Sequence, residues 1–397
     1  MFRCKKRKKY NKIYRIIRNE EFIQEQTNSI LIERLCEKET LDMKKRIIVL
    51  LLCGLFLLLQ GCGDKIETKN VTNTVQETMS IAKENAAVEE RKESEKETIY
   101  PVTVTDQVGR QVTMEKEPQT IVSGYYISTS LLIALGQEEK LVGIENNPEK
   151  RPIYQKCAPR IMDLPQVGTV KELDLEQCAL LQPDLIILPF KLKDTAESLE
   201  QLGMKVLYIK PESQKLLEEA TTLLGIVTNS NEQVENLQSM ILDKTKEMQD
   251  LVGNSERPTV YITGNSNFLT TAGCEMYQHS LIEAAGGENV AKELKDFSWA
   301  EISYEQLLAW NPEYIILAAD AKFDVETVLT DENLAGCQAV KNGNVYQMPN
   351  EIESWDSPIP GSMLGSLWLA NVLHPDGYDV SRYESAVEEF YREFYGL

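Results

Sequence analysis

Two similar α/β lobes joined by a single long helix, with a ligand cleft between them, is the fold class this sequence predicts. The main observation is a repeat. ELDLEQCALLQPDLIIL at 172–188 recurs without a gap as EISYEQLLAWNPEYIIL at 301–317, 129 residues later. Seven of seventeen positions are identical: Glu172/Glu301, Glu176/Glu305, Gln177/Gln306, Pro183/Pro312, Ile186/Ile315, Ile187/Ile316 and Leu188/Leu317. Each copy reads as a short helix stopped by proline. A short apolar run bounded by breakers follows, which is the pattern of a buried strand. Such units also recur by chance in α/β proteins, but seven identities without a gap favour duplicated lobes. Between the copies lies Asn231–Leu251, polar with apolar marks at Val234, Leu237, Ile241, Met248 and Leu251. That spacing is a connector helix packed on one side.

The chain divides as follows. Lys44, Lys45 and Arg46 precede an apolar run of thirteen, Ile47 to Leu59, and then Leu59-Gln60-Gly61-Cys62. A basic start and an apolar run too short to span a bilayer comfortably read as a signal peptide over 43–61. The final four residues resemble a bacterial lipobox, so Cys62 is the expected lipidation site. Two acyl chains there would anchor the protein to a membrane. Residues 1–42 hold no core pattern and are read as an N-terminal extension, with Met43 as the expected true start. The segment 62–99 is polar and charged, and is read as a flexible tether.

An N-terminal lobe is expected over 100–230. It opens with a hairpin, Val102 to Met114, turning at Gly109. Next come the strand Ile121–Ser123, a helix capped at Ser128/Thr129 and ending at Gly136, and the strand Leu141–Ile144. The first repeat, a helix from Thr195 to Leu202 and the strand Val206–Ile209 complete the lobe. A helix from Gln214 to Leu224 leads to the connecting helix over 231–252. The C-terminal lobe, 257–397, contains the strand Thr259–Thr263, the second repeat and the strand Val345–Met348. A loop from Glu351 to Pro358 and helices at Gly361–Leu373 and Ser385–Tyr395 end the chain.

The net charge of −20 hides an asymmetry. Residues 1–61 hold 14 Lys/Arg and 7 Asp/Glu, leaving 28 basic against 55 acidic residues in 62–397. A part that acidic repels phosphates, so nucleic acid is not an expected partner. Of eight cysteines, Cys157, Cys178, Cys274 and Cys337 are scattered, with no CxxC spacing for zinc. Cys178 reads as a buried small hydrophobe. A disulfide among the other three stays open. The two histidines, His279 and His374, sit in helical contexts that suggest structural roles. No GxSxG, Walker loop, HExxH or GxGxxG after a strand occurs. No catalytic residue and no cofactor are expected.

What stands out are aromatic and polar residues at expected strand-to-helix loops: Tyr125, Tyr126, Phe190, Lys191, Trp299, Asp320, Trp355 and Asp356. Ligands of open α/β sheets bind beyond the carboxyl ends of the strands, so these eight are the candidate cleft residues. Each ring could instead pack within its own lobe.

The opening VTVTDQVGRQVTM, Val167-Gly168-Thr169, the twin LEQ…PDLIIL segments, AAGGENVA and the lipobox together resemble the class III substrate-binding proteins of ABC importers. The likeness runs from about Val102 to Tyr395. It implies two lobes on a rigid helix, small closure and no catalysis. The expected partners are an ABC permease with its ATPase subunits, a small-molecule metal chelate, and the membrane through the lipid anchor; the chain should act as a monomer. In that family one glutamate per lobe docks into arginine pockets of the permease, and the matching positions here are Glu176 and Glu305. Glu172 and Glu301 are the alternatives, and either pair could simply complement a helix dipole. The docking glutamates are expected on the surface away from the cleft loops. The family implies a ferric-siderophore type chelate as ligand, with cobalamin and haem behind it. A surface-anchored α/β enzyme and an adhesive lipoprotein are the readings from other classes.

Overall fold

A computed structural model describes residues 97–397, with the exception of 254, 296 and 297. The extension, the signal segment, Cys62 and nearly all of the expected tether lie outside the described residues. The tether cannot extend to residue 99. The Thr98 amide donates to Asn229 Oδ1 at 2.7 Å and its hydroxyl to the Ile226 carbonyl at 2.9 Å. The Tyr100 hydroxyl donates to the Val227 carbonyl at 3.0 Å. These partners are carbonyls and a side chain at the end of a helix, where backbone acceptors are left over.

The hairpin forms as expected, with β1 (Val102–Thr105) antiparallel to β2 (Gln111–Met114). Its turn needs Gly109, whose φ is +84°. The Asp106 carboxylate accepts from the amides of Val108 and Arg110 and pairs with the Arg110 guanidinium. Arg110 also bonds Glu200 and lies 4.2 Å from the Tyr208 ring centre, which fastens the hairpin to the first lobe.

That lobe runs β3 (Ile121–Ser123), α1 (Tyr126–Ala134), β4 (Leu141–Ile144), α2 (Pro152–Cys157), α3 (Leu175–Leu181), β5 (Leu185–Pro189), α4 (Lys193–Gln201) and β6 (Val206–Ile209). Two helices follow, α5 (Gln214–Thr228) and the connector α6 (Asn231–Val252). The second lobe runs β7 (Thr259–Ile262), β8 (Thr270–Thr271), α7 (Tyr277–Ala284), β9 (Glu288–Asn289), β10 (Ala300–Glu301), α8 (Tyr304–Trp310), β11 (Tyr314–Leu317), α9 (Val325–Leu329), α10 (Gln338–Asn342), β12 (Val345–Gln347), α11 (Ser362–Leu373) and α12 (Val380–Tyr395).

The sheets are β4-β3-β5-β6 and β9-β7-β11-β12, all parallel. Counted from the first strand of each lobe, both have the order 2-1-3-4, so the duplication seen in the repeat extends to whole sheets. The repeated unit is also built alike atom by atom. Asp174 caps α3 through the Gln177 amide, and Ser303 caps α8 through the Gln306 amide. Gln182 and Asn311 end the two helices in the left-handed region, both at φ 45°. Asp184 Oδ2 accepts from the Thr120 amide and hydroxyl, both at 3.1 Å. Glu313 Oε2 accepts the same two bonds from Thr259, at 2.8 and 3.2 Å. Each carboxylate thus ties the entry of the third strand to the entry of the first.

Several boundaries differ from expectation, and four of them have a local cause. Helix α1 begins at Tyr126 with no side-chain cap; Ser128 and Thr129 lie inside it, buried, and Thr129 serves a buried carboxyl described below. Helix α5 continues to Thr228 before Asn229 turns left-handed. The buried seam of α6 ends at Val252 rather than Leu251, which is 39% exposed. From Met248 the next inward position on a helix is four residues on, not three. Helix α12 starts at Val380 because Asp379 accepts from the amides of Ser381 and Arg382.

One expectation about orientation is overturned. Val167 N–H bonds the carbonyl of Ile144, the last residue of β4, and Asp174 N–H bonds the Val167 carbonyl. In the second lobe Thr263, just past β7, bridges to Thr271, which pairs with Ala300. The N-terminal turns of α3 and α8 therefore lie at the carboxyl ends of the strands. Glu176 and Glu305 sit at the same end of each lobe as the cleft loops, not at the far surface. The cause is geometric: a helix that feeds a parallel strand must run back against it.

The two lobes share apolar packing. A single buried cluster contains Ile127 and Leu131 of α1, Ile153 of α2, and Trp355, Leu364, Phe390 and Tyr395 of the second lobe.

Candidate functional site

A cavity of about 140 Å³ lies between the lobes. The first lobe contributes Tyr126, Ser130, Lys150, Arg151, Pro152 and Ile153. The second contributes Asp320, Asn350, Ile352, Glu353, Ser354, Ser357 and Ile359. Every one of these follows the carboxyl end of a strand or lies on the helix after it, where a parallel sheet offers its ligand edge.

The first-lobe wall rests on a buried carboxyl. Glu145 accepts from the Thr129 hydroxyl at 2.6 Å and from the Tyr154 hydroxyl at 2.8 Å. Burial raises its pKa, and those two donors oppose the rise. The Tyr154 hydroxyl also lies 3.2 Å from the Tyr126 carbonyl. Tyr125 and Tyr126 meet edge to face at 5.3 Å. Over the Tyr126 ring, 4.0 Å from its centre, lies the Arg151 guanidinium. Arg151 forms no ion pair with a described carboxylate, so its donors are available to a ligand.

The second-lobe wall is acidic and largely buried. Asp320 is exposed and accepts from the Ser354 hydroxyl at 2.7 Å and from Asn350 Nδ2 at 3.3 Å. Asp356 is buried and accepts from the Ala319 amide at 2.9 Å. Burial raises its pKa to about 6, with Asp320 adding to the rise. Glu353 is buried too, and burial raises its pKa to about 7.

The expected cleft residues thus separate into three groups. Tyr126 and Asp320 line the cavity, and Asp356 packs directly behind it. Tyr125, Phe190, Lys191 and Trp299 stand at strand ends on the same rim but do not line it. Lys191 and Lys210 both lie near the Phe190 ring, at 5.6 and 5.0 Å. Trp299 sits near Gly264, just beyond β7. Trp355 belongs to the core: it is 5% exposed, its indole N–H donates to Tyr391 Oη at 2.9 Å, and its ring meets Tyr383 edge to face. The sequence reading missed Arg151, Lys150 and Glu353. The first two lie in the irregular stretch after β4, where only an Arg-Pro step before a short helix marks them.

Both histidines have structural partners: His279 faces Asn289, and His374 Nε2 lies 3.2 Å from the Gly286 carbonyl. Cys157, Cys178, Cys274 and Cys337 are free, with Cys178 buried as expected. Among the described residues no cluster of His, Cys, Asp or Glu is placed to hold a metal ion.

The topology and the interlobe cavity describe a protein that holds a solute. A family model for periplasmic binding proteins matches residues 121–352. The chain belongs to that family. It is the extracytoplasmic solute-binding component of an ABC transporter and not an enzyme. It is 24% identical over 320 residues to the molybdate-binding protein MolA of Haemophilus influenzae, covering 74% of this chain and 90% of that protein. The solved structure of molybdate-bound MolA superimposes with a TM-score of 0.67 at 23% identity, covering 75% of this chain and 98% of that one, and shows the common fold. A substrate-binding lipoprotein of Bacillus subtilis, YvrC, is 23% identical over 349 residues, 85% of this chain and 99% of that protein. A vitamin B12-binding protein of Salmonella paratyphi A matches a shorter stretch, 25% identical over 170 residues, 42% of this chain and 64% of that protein.

Replacing Trp355 by Phe should lower unfolding stability by about 1–2 kcal/mol in urea titrations, because Tyr391 then loses a buried donor. An unchanged midpoint would mean that the indole is not a core group.

Proposed function

We propose that the cleft captures an anionic, metal-containing solute, with a tetrahedral oxyanion of the molybdate type first. The observation that carries this is Arg151, whose guanidinium lies at the cavity, stacked on Tyr126 and unpaired with any described carboxylate. Lys150 adds a second cation, and Ser130 and Ser357 bring further hydroxyls to the lining. Fork-shaped guanidinium donors suit an oxyanion. Size agrees: about 140 Å³ holds a few waters or a small ion and falls below the roughly 300–1,000 Å³ of drug-sized ligands. MolA, similar over most of both chains, supports the same choice. A ferric-siderophore type chelate is the second reading. The aromatic rim of Tyr125, Phe190 and Trp299 favours it, but it requires the lobes to open further. Cobalamin and haem come behind it for the same reason of size.

Calorimetric titration with molybdate should give binding to the wild type. In Arg151→Ala the affinity should fall roughly 10- to 100-fold, as expected for a lost charge-assisted contact. Binding of ferric chelates but not of molybdate would favour the second reading.

Delivery is proposed to use Glu176 and Glu305. Both are exposed, in the first turns of equivalent helices, at the rim that carries the cleft loops. The Ser303 hydroxyl holds Glu305 below the usual carboxylate range, so it stays charged. Glu172 and Glu301 precede these helices and are the less regular pair. Charge reversal at both Glu176 and Glu305 should abolish uptake in cells while solute affinity in vitro is retained; lost affinity would sink the docking role.

Anchoring is proposed through lipid on Cys62, supported by the lipobox and by similarity to the lipoprotein YvrC. Labelled palmitate should enter the wild type and not Cys62→Ser. Equal labelling of both would refute it.

A further inference from the structure

Glu353 is an odd residue for an anion site. It lines the cavity that holds Arg151, yet it is a carboxyl and is 5% exposed. Oε2 accepts one bond, from the Tyr391 hydroxyl at 3.2 Å. Oε1 makes no hydrogen bond of ordinary geometry, and neither does the Tyr395 hydroxyl of the same helix, which stands beside the carboxyl. A charged carboxylate with one bare oxygen in such a place is costly. Protonation removes the charge and turns the bare oxygen into a donor.

The groups packed directly against Glu353 do not supply a compensating charge. From α12, Glu353 meets the neutral hydroxyls of Tyr391 and Tyr395. From α2 it faces Cys157, a thiol whose own pKa is raised to about 12 by burial and by Glu353. From its own loop come Asp356 and, through Ser354, Asp320, both acidic. Arg151, across the cavity, is the cation that favours its charged form. The same guanidinium also acts on Glu145. A ligand anion that engages Arg151 takes that cation away from both.

We propose that Glu353 is a specificity-determining proton carrier of the solute site: an anion binds at Arg151 together with one proton on the Glu353 carboxyl, and loss of that proton expels the anion. This rests on the anion reading given above. The balance is simple: one anion and one proton enter together, and both leave together, with no other bond made or broken. The site thereby selects for anions and against metal cations, because a cation would instead displace the proton.

In the empty protein the carboxyl, neutral at low pH, titrates near 7, well above a carboxyl in the unfolded chain. Stability from a raised carboxyl is full below the unfolded pKa and is lost as pH rises through the folded one. Glu353→Gln mimics the protonated form at every pH.

Two measurements on the full-length protein test this. In the first, melting temperatures of wild type and Glu353→Gln are compared without ligand from pH 5 to 8.5. The two should be closest at pH 5, and the variant should gain on the wild type as pH rises, the gain levelling off near 7. A gain that levels off near 6 would assign the titration to Asp356, and a flat difference would remove the proton carrier; either overturns the proposal. In the second, sodium molybdate is titrated calorimetrically in buffers of different ionisation enthalpy. Near pH 7.5 the wild type should take up about three quarters of a proton per anion, approaching one at pH 8.5. Its affinity should fall about tenfold per pH unit above 7, and in Glu353→Gln it should not. The proton count needs no variant, so it stands even if Glu353→Gln folds poorly. Binding of molybdate with no proton uptake overturns the coupling alone. No binding of molybdate at any pH overturns the oxyanion reading, and the coupling with it.

Discussion

Both sheets are parallel throughout, and most of the architecture follows from that constraint. A parallel strand can be reached only by carrying the chain back along the sheet, so every helix runs against the strand it feeds. All strand carboxyl ends in a lobe then share one edge, and the starts of the feeding helices lie at that edge as well. Cleft loops such as Tyr125–Tyr126 and Ala319–Asp320 therefore stand beside the first turns of α3 and α8. Solute contacts and the exposed glutamates occupy one rim because the topology leaves no other place for them. The carboxylates of Asp184 and Glu313 hold that arrangement in register. Each binds the amide and hydroxyl of the threonine that opens the neighbouring strand.

The repeat at 172–188 and 301–317 made the duplicated lobes readable from the sequence, because helix stop, buried strand and cap chemistry are local signals. Sheet order was not local, yet it turned out equal in both lobes. The direction of the glutamates was misjudged because no attention to helix polarity entered the reading of the repeat. Trp355 was misassigned for a different reason. Its neighbours Ser354 and Asp356 are polar, but the indole turns the opposite way and finds Tyr391 on a helix some thirty-six residues later. Arg151 was missed because nothing in its own segment reveals that Tyr126 waits beneath it. Residues that act by meeting across distant segments leave little trace in the sequence of either segment.

The electrostatics of the cavity are uneven. The first lobe brings the cations Arg151 and Lys150; the second brings Asp320, Glu353 and Asp356. Glu145 sits behind the cations with both oxygens bonded, so it orients the wall without claiming the guanidinium. On the reading proposed above, a solute anion would enter between a cationic face and an acidic one, and the protonation of the acidic face would decide how welcoming the space is. Apolar packing from α1 and α2 to α12 runs behind this pocket, so lobe movement is constrained at the back while the rim stays polar.

The chain reaches the fold at Thr98, which is bonded to Ile226, Asn229 and Asn231 at the corner between α5 and the connecting helix. A rope tied at the pivot of a pair of tongs drags the tool without opening the jaws. Any pull transmitted along the preceding residues acts through this corner with almost no lever arm on either lobe. Were the protein anchored at Cys62 as proposed, a pull on the anchor would reach the fold at this corner and not on either lobe.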